Sequence, residues 1–397
     1  MRAALASTIA ILALSLSYGP ALAQTGDAGL FSIHMMDALT GWAVPPPQLS
    51  SPPRKGTDAL LRTIDGGIHW TDVTPLGSSG EEIGAYRVDV LTSPIAWVLW
   101  DEFFHNVVSS NLSHTVDGGR TWETVTIPPN TTSVQSMRFI NPRDGWIVAN
   151  GGANLASEEQ VIYRSTDGGQ TWIKVASAKP FEATGSGLQF QSGFYFDFAF
   201  LNGTTGWATG INLADDLAYL YVTNDGGRTW HAEKVPVPFR ATSPWKGVTG
   251  SPKFFTARHG ILPMFYDNLN PQSRRPIASF AIFYATDDGG MTWTSTTPVA
   301  IVHSGIVLDR YGQSPRTYRF VDADHGWLAD GDVLYATTDG GHHWMKISPT
   351  GSFTDVKQLD FISLQVGWAL RQTSPFLLKT VDGGHTWVPV AYAISRR

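Results

Sequence analysis

Short apolar runs of about four to eight residues recur along the chain, each closed by a turn signal, and no long stretch shows a helical period. One kind of run ends at an aromatic or aliphatic residue and meets Gly-Trp after five more positions. "MRFINPRDGWIVA", "FAFLNGTTGWATG", "YRFVDADHGWLAD", "LDFISLQVGWAL" and "FSIHMMDALTGWAV" all follow this pattern. "VDVLTSPIAWVLW" has Ala96 in place of the glycine, and "KFFTARHGILPM" keeps Gly260 but has Ile261 in place of the tryptophan. A further run, such as "VIYRST", "LAYLYVT" or "VLYATT", precedes an octapeptide built on Asp-Gly-Gly. The octapeptide occurs seven times, as TIDGGIHW, TVDGGRTW, STDGGQTW, TNDGGRTW, TDDGGMTW, TTDGGHHW and TVDGGHTW. Its aspartates are Asp65, Asp117, Asp167, Asp225, Asp288, Asp339 and Asp382, spaced by 52, 50, 58, 63, 51 and 43 residues.

Asp-Gly between β-branched apolar runs signals a hairpin. Each repeat therefore predicts four short antiparallel strands, A to D. A tight turn joins A to B, Gly-Trp opens B, Asp-Gly-Gly turns C into D, and the second Trp opens D. A short aspartate accepts N–H groups of its own turn, glycine supplies positive φ, and the indole buries a large apolar area. A period near fifty residues marks a solenoid or a propeller. Both end repeats are whole, without distinct caps, so the fold class expected is all-β, a seven-bladed β-propeller of four-stranded antiparallel blades. Blade 1 should pack beside blade 7, with no clear strand exchanged between the termini. The tail "VPVAYAISRR" is expected to extend blade 7.

The start of the chain changes the picture only locally. Arg2, an apolar stretch from Ala3 to Ser17 and Ala21-Leu22-Ala23 predict a signal peptide over 1–23, with the propeller over 24–397. The mature chain is then expected to be exported, to the periplasm or beyond the cell. The absence of cysteine excludes disulfides, thiolate metal sites and cysteine nucleophiles. Formal net charge is −6, or −7 once Arg2 is removed, which argues against nucleic acid and anionic lipid as partners. The eleven histidines show no paired ligand spacing, so no metal and no cofactor is expected. No G-x-S-x-G, Walker loop or dinucleotide fingerprint is present.

The octapeptide resembles the Asp-box, or BNR repeat, found in sialidases, sortilin-type receptors and photosystem II assembly factors. With the F-x5-G-W element it looks like the photosystem II stability/assembly factor family over nearly all the mature chain. That resemblance implies a propeller that binds a membrane-protein intermediate through an arginine-rich patch, for which Arg274, Arg275, Arg310 and Arg316 would be the material here. Sialidases resemble the chain only in the boxes, since their Arg-Ile-Pro element is missing.

The aspartates of the boxes read as structural, each serving its own turn. Thirteen of the 15 tryptophans fall in the boxes or open strand B, leaving Trp100 and Trp245. Insertions fall almost entirely in the B–C and D–A connections, which share one face. "LPMFYDNLNPQSRRPIAS" and "VPVPFRATSPWKGVTGSP" are examples. Binding residues sit on loops held by a rigid scaffold, so this face, weighted to blades 4–6, is the candidate site. Its candidate binding residues are Trp100, Arg240, Trp245, Lys246, Tyr266, Asp267, Arg274, Arg275, Arg310 and Tyr311, with no catalytic residue assigned. The expected function is a non-catalytic binding or assembly propeller, acting as a monomer on a protein partner such as a membrane-protein assembly. A glycoside hydrolase or other glycan-directed protein is the alternative, and a purely structural cell-surface module the third reading.

Overall fold

The computed structural model describes residues 30–44, 59–76, 83–104, 107–128, 131, 133–151, 159–178, 185–188, 196–212, 217–236, 245–270, 273, 276–302, 317–351, 353–371 and 377–395. The expected leader, residues 1–23, lies outside them. Among the described residues there is no helix, and the strands form seven sheets, each the A-B-C-D meander of one repeat. Blade 1, for example, is Ser32–Met35, Gly41–Val44, Leu61–Thr63 and His69–Asp72. Blade 7 is Val356–Phe361, Gly367–Arg371, Leu377–Thr380 and Thr386–Val390. A strands of adjoining blades touch, which puts them innermost. The protein is a seven-bladed β-propeller.

The core lies between the blades. Seven apolar clusters occupy the seven joints, including the 7/1 joint, where Trp368, Leu370 and Leu377 meet Ile33, Met35 and Trp70. The F-x5-G-W element is the joint's main device. The strand-B tryptophan stacks flat on the phenylalanine that ends strand A of the next blade in Trp97–Phe139, Trp146–Phe200 and Trp327–Phe361, at 3.7–3.9 Å between centroids. Its indole N–H then donates to the first box glycine of that blade, as in Trp97 to Gly168 and Trp146 to Gly226.

The glycine before the tryptophan is needed for closeness, not for φ. A Cβ on Gly145, Gly206 or Gly367 would come within 2.3–2.6 Å of the phenylalanine ring of its own blade. Blade 2 shows the converse. Strand A ends there in Val90, a smaller side chain, and the facing residue is Ala96.

The Asp-box holds the other end of each hairpin. In blade 2 the Asp117 carboxylate accepts the Thr121 N–H at 2.9 Å and its hydroxyl at 2.7 Å, and the Thr115 hydroxyl at 2.9 Å. Bonds from the N–H groups of Thr121 and Thr386 hold Asp117 and Asp382 down at about 2. The first box glycine sits at φ +69° to +79° and donates its N–H to the A–B turn of its own blade in all seven repeats. A–B and C–D turns are thereby locked together on one face.

The tail departs from expectation. Thr386–Val390 is strand D of blade 7, but Ala393–Ser395 crosses the joint and pairs in parallel with His69, Trp70 and Thr71 of blade 1. The reason is visible at two other joints. The chain leaving blade 6 runs Thr350–Gly351 in parallel along Thr386–Trp387, and the segment leaving blade 3 accepts the Trp230 N–H on the Ser186 carbonyl. A chain leaving strand D passes the outer edge of the next blade, and after blade 7 the next blade is blade 1.

This fifth strand decides how the box tryptophan sits. Where it is present, Trp70, Trp230 and Trp387 are buried and their indoles turn back to Gly67, Gly227 and Gly384 at 2.9–3.0 Å. In blades 2 and 3, Trp122 and Trp172 are only half-buried and reach across to the carbonyls of Val73 and Thr126 in the preceding blade.

Candidate functional site

The face opposite the Asp-boxes carries the B–C hairpin ends. Two of these hairpins have the longest strands among the described residues. Strands B and C of blade 2, Ala96–Phe104 and Val107–Thr115, have nine residues each, and those of blade 5, Gly260–Leu269 and Pro276–Thr286, have ten and eleven. The other blades use seven or fewer. The stretch Leu262–Ser279, read from sequence as a loop, is therefore mostly strand. Its near-continuous apolar run, buried on both faces, lets both strands continue, paired from Gly260 with Thr286 to Leu269 with Pro276.

Three of the candidate residues are core rather than surface. Trp100 is buried between blades 1 and 2, and its indole donates to the Ser113 hydroxyl at 2.8 Å. Tyr266 packs with Leu220, Met264 and Ile282 between blades 4 and 5, where burial pushes its hydroxyl up to about 12. Asp267 is buried at 3% exposure. Each lies on a strand B that is longer than its sequence suggests, so what read as a loop end is covered by neighbours. Trp245 and Lys246 open strand A of blade 5, opposite Asn268 and Asp267, at the hairpin face. Arg240, Arg274, Arg275, Arg310 and Tyr311 lie outside the described residues, as does Arg316.

The ring axis holds a set of charges not anticipated as a site. One position of strand A, directly before its last residue, is His34, Asp89, Arg138, Ala199, Lys253, Arg319 and Asp360 around the seven blades. Alternation along the strand turns the neighbouring residues into the joints and this one toward the axis. The signal was present in the sequence as a charge inside an otherwise apolar run.

Several of these groups tie one blade to the next. Asp89 accepts the Phe139 N–H at 2.5 Å and pairs with Arg138 at 3.1 Å. Asp360 accepts the Met35 N–H at 2.5 Å and pairs with Arg319 at 3.3 Å. Lys253 donates to the Phe320 carbonyl at 2.7 Å, and Arg319 to the Phe361 carbonyl at 3.2 Å. One layer away, Asp197 accepts hydroxyls from Ser136 in blade 3 and Ser251 in blade 5 at 3.3 and 2.6 Å. Lys253 as a residue is exposed, but desolvation of its ammonium among the strands around it, helped by the nearby Arg319, lowers it to about 7.

Burial also pushes the His34 imidazole down to about 4; Arg319, Lys253 and Arg138 act in the same direction, and Asp360 opposes them. An unfolded histidine titrates near 6.5, so between about pH 6.5 and 4 the unfolded chain binds the extra proton. Stability contributed by neutral His34 is thus lost as pH falls through that window, by at most about 3 kcal/mol. Between about pH 7.5 and pH 4.5 the urea midpoint of the wild-type chain should fall relative to that of His34→Gln. Equal acid losses in both would assign the effect to another group.

The 4/5 joint is built differently. Trp207 stacks less flatly on Phe254, at 4.8 Å and 25°, and its indole N–H lies beside Glu233 without a bond of normal length. Burial pushes the Glu233 carboxyl up to about 7.

Residues 221–232, the blade 4 box, match the BNR/Asp-box repeat model. A xyloglucanase from Paenibacillus sp is 26% identical over 262 residues, covering 58% of this chain and 23% of that protein. The chain therefore spans about a quarter of the length of that curated relative. A structure of YCF48 bound to D1 peptide aligns over 92% of this chain and 96% of its own, at 18% identity and a TM-score of 0.52. A YCF48 structure from Cyanidioschyzon merolae aligns over 91% and 96%, at 15% identity and 0.50. At these identities the likeness shows the fold.

Proposed function

We propose that the chain is an exported, non-catalytic binding propeller that engages a protein partner through the face bearing the B–C hairpins. The observation that carries this reading is the pair of hairpins in blades 2 and 5, which have the longest B and C strands among the described residues. A ring stapled at its joints holds such projections in fixed relation, which lowers the entropy cost of binding. The similar fold of YCF48, seen with a D1 peptide, supports a peptide or protein ligand.

The test is capture from solubilised envelope of the host on the chain from Gln24 onward. A variant with Trp245, Arg274 and Arg275 changed to alanine runs beside it. A protein that rebinds after purification to the wild-type chain, and at least about tenfold more weakly to the variant, is the expected result. Equal retention by both moves the site off this face.

The xyloglucanase similarity favours a second reading, a glycan-directed propeller. Release of reducing ends from xyloglucan by the purified chain would establish it and overturn the non-catalytic reading.

A further inference from the structure

The Asp-box face, plain in loop length, is not plain in chemistry. Each blade shows three turn positions there: the residue before the box aspartate, the residue after its second glycine, and the A–B turn residue whose carbonyl the first box glycine binds. In blade 1 all three are aliphatic and exposed, Ile64 at 67%, Ile68 at 48% and Leu39 at 58%. The neighbours continue the arc with Val381 in blade 7 and Val116 in blade 2, 65% and 62% exposed, and Leu364, 47% exposed, stands one residue before the A–B turn position of blade 7, which is Gln365. Blades 3, 4 and 6 place no aliphatic residue at any of the three positions, and blade 5 only Met291.

Charge on this face is also ordered. Following the arc round the ring come the exposed Arg120, Arg143, Arg228 and Arg258 of blades 2 to 5. Exposed acids at the same positions, Asp287 and Asp324, lie in blades 5 and 6, away from the arc. The acids inside the arc stay ionised but are held within their own turns. Asp37 takes the N–H groups of Leu39 and Thr40 and the Thr40 hydroxyl, and Asp65, Asp117 and Asp382 are held by their own boxes.

We propose that this arc is a peripheral membrane-docking edge for anionic bilayers, with blade 1 deepest and Arg120 and Arg143 on the headgroups. The aliphatic residues stand on separate turns of adjoining blades, with box aspartates between them. Separate apolar tips enter a deformable interface without needing a complementary shape. Arginines beside them complement anionic headgroups despite the chain's net charge of −6. Among the described residues no helix is long and apolar enough to cross a membrane, and docking of this kind needs none. The inference does not rest on the proposed function, which uses the opposite face.

The test is co-sedimentation of the chain from Gln24 onward, which retains every strand of the ring, with vesicles of phosphatidylcholine alone or mixed equally with phosphatidylglycerol. The chain should bind the mixed vesicles at least about tenfold more tightly than the neutral ones, and less tightly as salt is raised. Leu39→Ser/Ile64→Ser/Ile68→Ser should lose about tenfold on mixed vesicles with an unchanged melting temperature. Arg120→Glu/Arg143→Glu should erase the preference for anionic lipid. Ile173→Ser/Met345→Ser, at exposed apolar positions on strands D, should leave binding intact. No binding to either vesicle, or equal binding by wild type and the triple serine variant, overturns the proposal. So does a wild-type dimer that the serine variant converts to monomer, since the arc would then be covered by a second copy.

Discussion

Trp368→Ala should destabilise the protein by about 4 kcal/mol, the cost of emptying a fully buried indole site. Trp368 is 0% exposed, donates to the Gly66 carbonyl at 3.1 Å and carries the Lys379 ammonium 4.8 Å above its ring. It packs with residues of blade 1, so the loss falls on the joint that closes the ring. Trp368→Phe keeps most of the packing and gives up the hydrogen bond, so about 1–2 kcal/mol is expected. Trp344→Ala, at a half-buried indole in blade 6, should cost less than Trp368→Ala. Urea midpoints at constant slope give all three values. Equal losses for Trp344 and Trp368 would show that the strand-B position has no special part in closure.

Removing residues 391–397 should cost about 2–3 kcal/mol, from the buried part of Ile394 and three positions of parallel pairing. It also removes the Tyr392 hydroxyl, which accepts the Leu30 N–H at 3.3 Å, and uncovers Trp70. A red shift of tryptophan emission and faster proteolysis near residue 30 should accompany the loss. A truncated chain with unchanged midpoint and emission would mean that the tail rests on blade 1 without holding it.

The all-β class, the number of blades and their strand order were legible because each repeat states its own hairpins. The seven Asp-Gly-Gly turns fix where C becomes D, and the five-residue gap to Gly-Trp fixes where A becomes B. The substitution at Ala96 was also readable once its partner was known, since Val90 leaves the space that Phe139 takes beside Gly145. The tail was not legible. Ala393–Ser395 has no pattern that distinguishes pairing with its own blade from pairing with the next, and the paths taken at Ser186 and at Thr350–Gly351 show the rule.

The candidate face was half legible. Sequence located the long insertions, but Tyr266 and Asp267 read as loop because Asn268, Asn270 and Pro271 look like turn residues, while the hairpin runs on to Leu269. The axis charges were overlooked for a different reason. A lone Arg138 or Asp360 in a strand looks like a solvated residue, and only closure of the ring brings the charges of seven strands around one axis.

The parallel fifth strand makes the termini ordinary. Blade 1 receives from the end of the chain the same kind of edge that blade 7 receives from the segment before it. The place where the polypeptide begins is thus an accident of the gene rather than a requirement of the architecture. Joining the ends by a short linker and opening the chain at another inter-blade connection would leave every sheet with the neighbours it has now. A chain permuted in this way should keep the ring, because blades 1 and 7 would each still have the outer edge covered by the segment that leaves the blade before it.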